Sequence, residues 1–290
     1  MMTGRRFSAG LAAIATLASC SGSRGSAASG DVPSSAPFAF EATFSPGAGR
    51  PPEKLTLQGN EASMLVTESP SETTAVGRYS AVIDEGMRSA LERAMREAPT
   101  GSPGLASDTQ AVRCSMMSGG LRTERSFARP PTGAGLQALL ARIQMVERVA
   151  LAHPREAIRL ELAAPTAPID AGRRAVIHLR VQNAGSDPLT VVFDGAPAIE
   201  AAPVPKPARA GEVVSPPAWA RVGSASPGVA LLHLPIGAQV ELPVELMIAE
   251  SGPAALRARF DGALALTGQT NQSMHFHATL VSRATAIDVR

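Results

Sequence analysis

Four of the five histidines fall between residues 156 and 290: His178, His233, His275 and His277. On a strand, alternate residues share a face, so His275 and His277 would point the same way, with Met274, Phe276 and Ala278 on the other side. An imidazole pair of this kind ligates zinc or copper when further ligands join it, and His178 or His233 could arrive across a sheet. Two histidines alone are an incomplete site, and outward strand positions commonly hold polar residues. Surface histidines are therefore the simpler reading, and the sequence predicts no metal and no cofactor. There are two cysteines, Cys20 and Cys114. No Cys-x-x-Cys occurs and no histidine lies near Cys114 in the sequence, so a buried, inert thiol on a strand is expected there. Trp219, the only tryptophan, reads as a packing plug. There is no His-Glu-x-x-His, no Gly-x-Ser-x-Gly and no phosphate-cradling glycine loop before a helix, and no catalytic residue is assigned.

Positioning any of these residues requires a core. The chain has 290 residues, enough for one or two domains with sizeable interiors. Its hydrophobic content of 44% excludes a wholly disordered polymer. Aromatics make only 3%, so Leu, Val, Ile, Ala and Met must fill the interior. The formal net charge is +2, and lysine occurs only at Lys54 and Lys206. With no basic stripe interleaved with aromatics, no nucleic-acid partner is expected.

The amino end carries its own pattern. Arg5 and Arg6 precede a mostly apolar run from Phe7 to Leu17, too short to span a bilayer and suited to a signal-peptide core. Leu17-Ala18-Ser19-Cys20 follows. This order resembles the lipobox of bacterial lipoproteins, in which the cysteine receives diacylglycerol and becomes the new amino terminus. The resemblance implies a signal peptide over 1–19, lipidation (including palmitate) at Cys20, and a lipid anchor in the membrane of the bacterial cell envelope. Ser21 stands where such lipoproteins carry an aspartate for inner-membrane retention, which implies the outer membrane, facing the periplasm. Residues 20–37 then form the lipidated cysteine and a Ser/Gly/Ala-rich tether reaching about 20–25 Å.

From 38 to 155 the periods predict an α+β domain, an antiparallel sheet with two helices. Phe38, Phe40, Ala42 and Phe44 alternate with smaller or charged neighbours, and Gly59-Asn60 joins two further strands as a hairpin. From Met87 to Ala98 the spacing becomes helical, with Asp84 as cap and Pro99 as stop. Strands about Ser118-Gly119-Gly120 and a helix beginning near Leu136 repeat the order. This strand–strand–helix rhythm resembles bacterial metalloprotease inhibitors of the emfourin type.

From 156 to 290 nearly every periodic segment is β. Ile177, Leu179 and Val181 alternate with His178 and Arg180, as do Leu256, Ala258 and Phe260 with Arg257 and Arg259. The segment around "GRRAVIHLRVQNAGSDPLTVVF" resembles strands B and C of bacterial Ig-like modules, which implies an all-β Ig-like sandwich. Residues 197–217 break the rhythm and read as a long loop, an edge strand with insertions or a small β excursion, because Pro203, Pro205 and Pro207 resist a central strand.

The expected function is that of an envelope-anchored periplasmic lipoprotein, a non-catalytic binding or structural module acting on a protein or envelope component. The alternatives are a periplasmic protease inhibitor, a metal-binding protein, or an enzyme assembled from distant residues.

Overall fold

Alternation of large apolar and polar side chains builds the first strands. The computed structural model describes residues 38–45, 53–69, 75–100, 110–165, 167–204, 217–225, 231–268 and 273–290. The signal segment 1–19, Cys20, the tether 21–37 and positions 205–216 of the proline-rich stretch lie outside the described residues. Strand β1 (Ala39–Ser45) buries Phe40, Ala42 and Phe44. It runs antiparallel to β2 (Glu53–Gln58), which turns at Gly59-Asn60 into β3 (Glu61–Val66). Gly59 has φ 58°, a left-handed value that glycine adopts without a Cβ penalty. β4 (Val76–Val82) then pairs with β3.

Helix α1 (Glu85–Glu97) begins where expected, the Met87 amide donating to Asp84 Oδ1 at 2.7 Å. It stops at Ala98, because the ring of Pro99 disfavours helical backbone in the preceding residue. β5 (Ala111–Ser118) and β6 (Leu121–Ala128) form a hairpin over Gly119 and Gly120, both at positive φ, a turn whose twist suits the flanking strands. Helix α2 (Ala134–Leu151) follows. The two helices contact each other; α1 lies against β5 and β6, and α2 against β3 and β4. Leu91 and Met95 of α1 join Leu139, Ile143 and Val146 of α2 in one core with the inner faces of β1, β2, β3 and β5.

Strand β7 (Pro154–Leu162) changes partners along its length. Its first half pairs with β4 (Arg78 opposite Glu156, Val76 opposite Ile158), and its second half pairs with β8 (Arg174–Asn183), from Ile158 opposite Asn183 to Leu162 opposite Leu179. The position 155/156, read from sequence as a domain boundary, therefore falls inside a strand. Beyond β8 come β9 (Leu189–Phe193), β10 (Ala198–Pro203), β11 (Ala220–Ala225), β12 (Leu232–Leu234), β13 (Gln239–Met247), β14 (Gly252–Thr267), β15 (Ser273–Val281) and β16 (Thr285–Val289). The hydrogen-bonded path is β12-β9-β14-β10-β11-β13-β8-β7-β4-β3-β2-β1-β5-β6, with β15 and β16 also paired to β14. The protein is thus a mixed α+β fold dominated by antiparallel strands, with two helices among the described residues. A second large core draws on β7 to β10 and β12 to β16, with Ile158, Leu179, Val181, Val191, Val244, Leu256 and Leu266 at its centre.

Two strands go beyond what their local chemistry suggests. Of the three readings of 197–217, Ala198–Pro203 follows the β excursion and is not an edge: β10 lies between β14 and β11, with Ile199 buried. Proline is tolerated because Pro203 is its last residue. β14 is also longer than its turn-like Asp261-Gly262 step suggests. Asp261 and Gly262 stay in register with Thr279 and Ala278, and a Cβ on Gly262 would sit 3.0 Å from the Asp194 carbonyl oxygen. This glycine serves a close backbone approach rather than a turn.

The loop after β8 is pinned from inside. Asn183, 1% exposed, donates through Nδ2 to the carbonyls of Asp187 (2.8 Å) and Leu234 (3.1 Å), and its Oδ1 accepts from the Gly185 amide at 2.9 Å. Asn183→Leu leaves these groups buried without partners. An expected loss of about 2–3 kcal/mol follows, read from denaturant midpoints.

A charged cavity where the strands change partners

Two clasps close the place where β7 exchanges partners. Glu156 of β7 is 1% exposed, and its Oε1 lies 2.7 Å from Arg78 Nη2 on β4. Beyond β3, the Ser69 amide donates to the Thr279 carbonyl at 3.0 Å, and the Thr279 amide donates to the Thr67 carbonyl at 2.9 Å, tying this segment to β15. Three glycines let the backbones approach. A Cβ on Gly77 or Gly185 would overlap the carbonyl oxygen of Glu156 or Arg155 respectively, and one on Gly268 would overlap the Glu156 carboxylate.

Beside these clasps is a cavity of about 500 Å³ lined by Glu53, Met64, Val66, Ala75, Tyr79, Glu147, Leu151, Pro154, Arg159 and Ala184. Its size is that of a small-molecule site, apolar walls with a few polar groups. Burial raises the Glu147 carboxyl above the usual range, and the charge of Glu53 adds to that; Arg129 and Arg148 oppose it. Arg159 Nε is buried with no hydrogen-bond partner. Among the described residues neither Glu53 nor Glu147 forms an ion pair with it. The Tyr79 hydroxyl donates to the Ala75 carbonyl at 2.7 Å, and burial pushes its pKa up, keeping it a phenol. These groups suit the recognition of charge.

None of the cavity's polar residues stood out in the sequence, although one carried a signal. Glu147 is half-buried beside the apolar face of α2, four residues after Ile143 and three before Ala150. A carboxylate beside an apolar stripe marks a site or a partner. Arg159 carried none, because its significance depends on where β7 crosses between β4 and β8.

The histidines are placed separately. His275 and His277 do share the exposed face of β15, with Met274 and Phe276 turned toward the core. His275 Nε2 lies 2.9 Å from the Ser273 hydroxyl, and His277 Nε2 lies 2.7 Å from Asp261 Oδ1. Hydrogen bonds from Arg259 and from His277 hold the Asp261 carboxyl below its usual range. His233 pairs its Nδ1 with the Thr190 hydroxyl at 2.9 Å. In the ladder, His233 faces Thr190, Thr190 faces Thr267 and Thr267 faces Ser273, so β12 and β15 are three strand spacings apart, about 14 Å. His178 lies on β8, opposite Pro243. Among the described residues no three His, Cys, Asp or Glu side chains form a metal-binding group.

Trp219 packs under the Arg257 guanidinium, 4.1 Å from its ring centre, and Arg257 Nε donates to Glu200 Oε2 at 2.7 Å. Cys114 is buried on β5, and desolvation pushes its thiol up to about 12 from 9.0. In a Cys20→Ser chain, a thiol reagent at pH 8 is expected to leave Cys114 unmodified in the native protein and to label it fully in denaturant. The raised value also disfavours the folded state in alkali: Cys114 contributes stability that is intact below about 9 and lost as pH rises toward about 12.

Among the described residues no helix is long and apolar enough to cross a membrane. No protein-family model matches the chain. No curated protein matches it. Among solved structures, the ASH/PapD-like domain of human CEP192 (PapD-like domain 7) aligns over 43% of this chain and 84% of that one, at 11% identity and a TM-score of 0.23. A likeness at that score carries no argument about this chain.

Proposed function

We propose that the protein is a lipid-anchored binding protein of the bacterial cell envelope, held at the outer membrane through Cys20 and presenting its folded body to the periplasm. The observation that carries this reading is the Leu17-Ala18-Ser19-Cys20 order behind Arg5, Arg6 and a short apolar run. Two or three acyl chains on one residue anchor far more firmly than one. The tether over 21–37 gives the body reach from the surface.

The body acts by binding a protein or envelope component rather than by catalysis. On this reading residues 38–155 form an α+β module and residues 156–290 an Ig-like sandwich. Support comes from the two large cores, one drawing on the helices with β1, β2, β3 and β5, the other on β7 to β10 and β12 to β16.

The anchor is tested by metabolic labelling with palmitate. The wild-type chain is expected to incorporate label and to sediment with membranes, while Cys20→Ser does neither. Retained labelling in Cys20→Ser would reject the assignment. Crosslinking of the native membrane-bound protein, read by mass spectrometry, identifies the partner.

A further inference from the structure

The β3–β4–α2–β7 cavity contains charges of both signs that do not neutralise one another. Arg159 contributes a guanidinium whose Nε is buried and without a partner, while Glu53 and Glu147 contribute carboxylates, and among the described residues no ion pair links the two signs. Buried or half-buried charges are costly unless compensated. Neighbouring structure compensates elsewhere in this protein, as Arg78 does for Glu156 and Arg257 for Glu200. In the cavity no ion pair supplies that compensation among the described residues; only the more distant charges of Arg129 and Arg148 act on Glu147, and the space between the groups measures about 500 Å³. The remaining walls are apolar, from Met64, Val66, Leu151 and Pro154.

We infer that this cavity is a binding site for a small zwitterion of the amino-acid or short-peptide class, its carboxylate on Arg159, its ammonium on Glu53 and Glu147, and its apolar side chain against Met64, Val66 and Leu151. An occupant carrying both signs completes both sets of charges, whereas a simple anion would leave the glutamates facing it and a simple cation would face the guanidinium. The planar fork of arginine suits a carboxylate. Tyr79 contributes its ring as wall, because its hydroxyl is already engaged with Ala75.

The inference extends the binding reading and is independent of the anchor, so palmitate labelling of Cys20 and occupancy of the cavity fail separately. The test is calorimetric titration of the detergent-solubilised full chain with three probes: leucine, leucyl-leucine and N-acetyl-leucyl-leucine amide. Binding of leucine or leucyl-leucine, and not of the capped peptide, is expected; which of the two binds assigns the source. Arg159→Gln is expected to weaken that binding by about tenfold or more. Among the described residues Arg159 has no hydrogen-bond or ion-pair partner to orphan, so this variant is expected to melt as the wild type does. Leu151→Trp, which fills the cavity from its half-exposed wall, provides a second route to the same loss. Failure of both uncapped probes to bind would overturn the inference. So would equal binding of the capped peptide, or unchanged affinity in Arg159→Gln.

Discussion

Gly77→Ala, inside strand β4, is expected to destabilise the protein by more than about 3 kcal/mol, a larger effect than at any glycine of a turn. Two costs combine at this position. Gly77 has φ 141°, where L side chains are strained, and its missing Cβ leaves room for the Glu156 carbonyl and the Ala157 Cα on β7. Neither neighbour can retreat, since both are backbone atoms of a strand held on its other half by β8. Gly59→Ala separates the two costs. Gly59 also has positive φ, but nothing lies within 4 Å of the Cβ position, so only conformational strain of about 1 kcal/mol is expected. Denaturant titration of both variants measures the difference. Equal losses at the two sites would mean that β4 and β7 do not approach as closely as described.

Arg78→Met is expected to cost about 3 kcal/mol or more, because it strands the Glu156 carboxylate in the interior. Glu156 is 1% exposed, its Oε2 has no hydrogen-bond partner, and Gly268 closes over it. The partner matters more than the attraction. Taking two charges out of water offsets much of what their pairing returns, so the double variant Arg78→Met/Glu156→Leu is expected to be more stable than Arg78→Met alone. A double-mutant cycle reads this directly. A cost below about 1 kcal/mol for Arg78→Met would show that water reaches the carboxylate. Both variants probe the same junction from opposite sides, one through backbone contact and the other through charge.

Much of the fold was legible because local chemistry specified it. Asp84 and Pro99 bound α1 at both ends, the alternation of Phe40, Ala42 and Phe44 faced β1 correctly, and Gly119-Gly120 set its hairpin. What escaped was set by distant partners. Pro203 discourages a strand locally, yet β10 is stabilised on both sides by β11 and β14. Asp261-Gly262 has turn chemistry, yet the Asp194 backbone and β15 keep it extended. The exchange of β7 between β4 and β8 left no periodic trace, because a buried strand reads alike whichever neighbour it has. The cavity followed from that exchange, and so its residues could not be assembled from spacing. His275 and His277 illustrate the converse: their shared face was visible, but only the ladder shows His233 three strands away.

The most direct test of the proposed function is the mass of the amino-terminal peptide released from the native, membrane-extracted protein. The expected peptide begins at Cys20 and carries a thioether-linked diacylglyceryl group, with residues 1–19 absent. A peptide with an unmodified Cys20, or one that begins elsewhere, would contradict it.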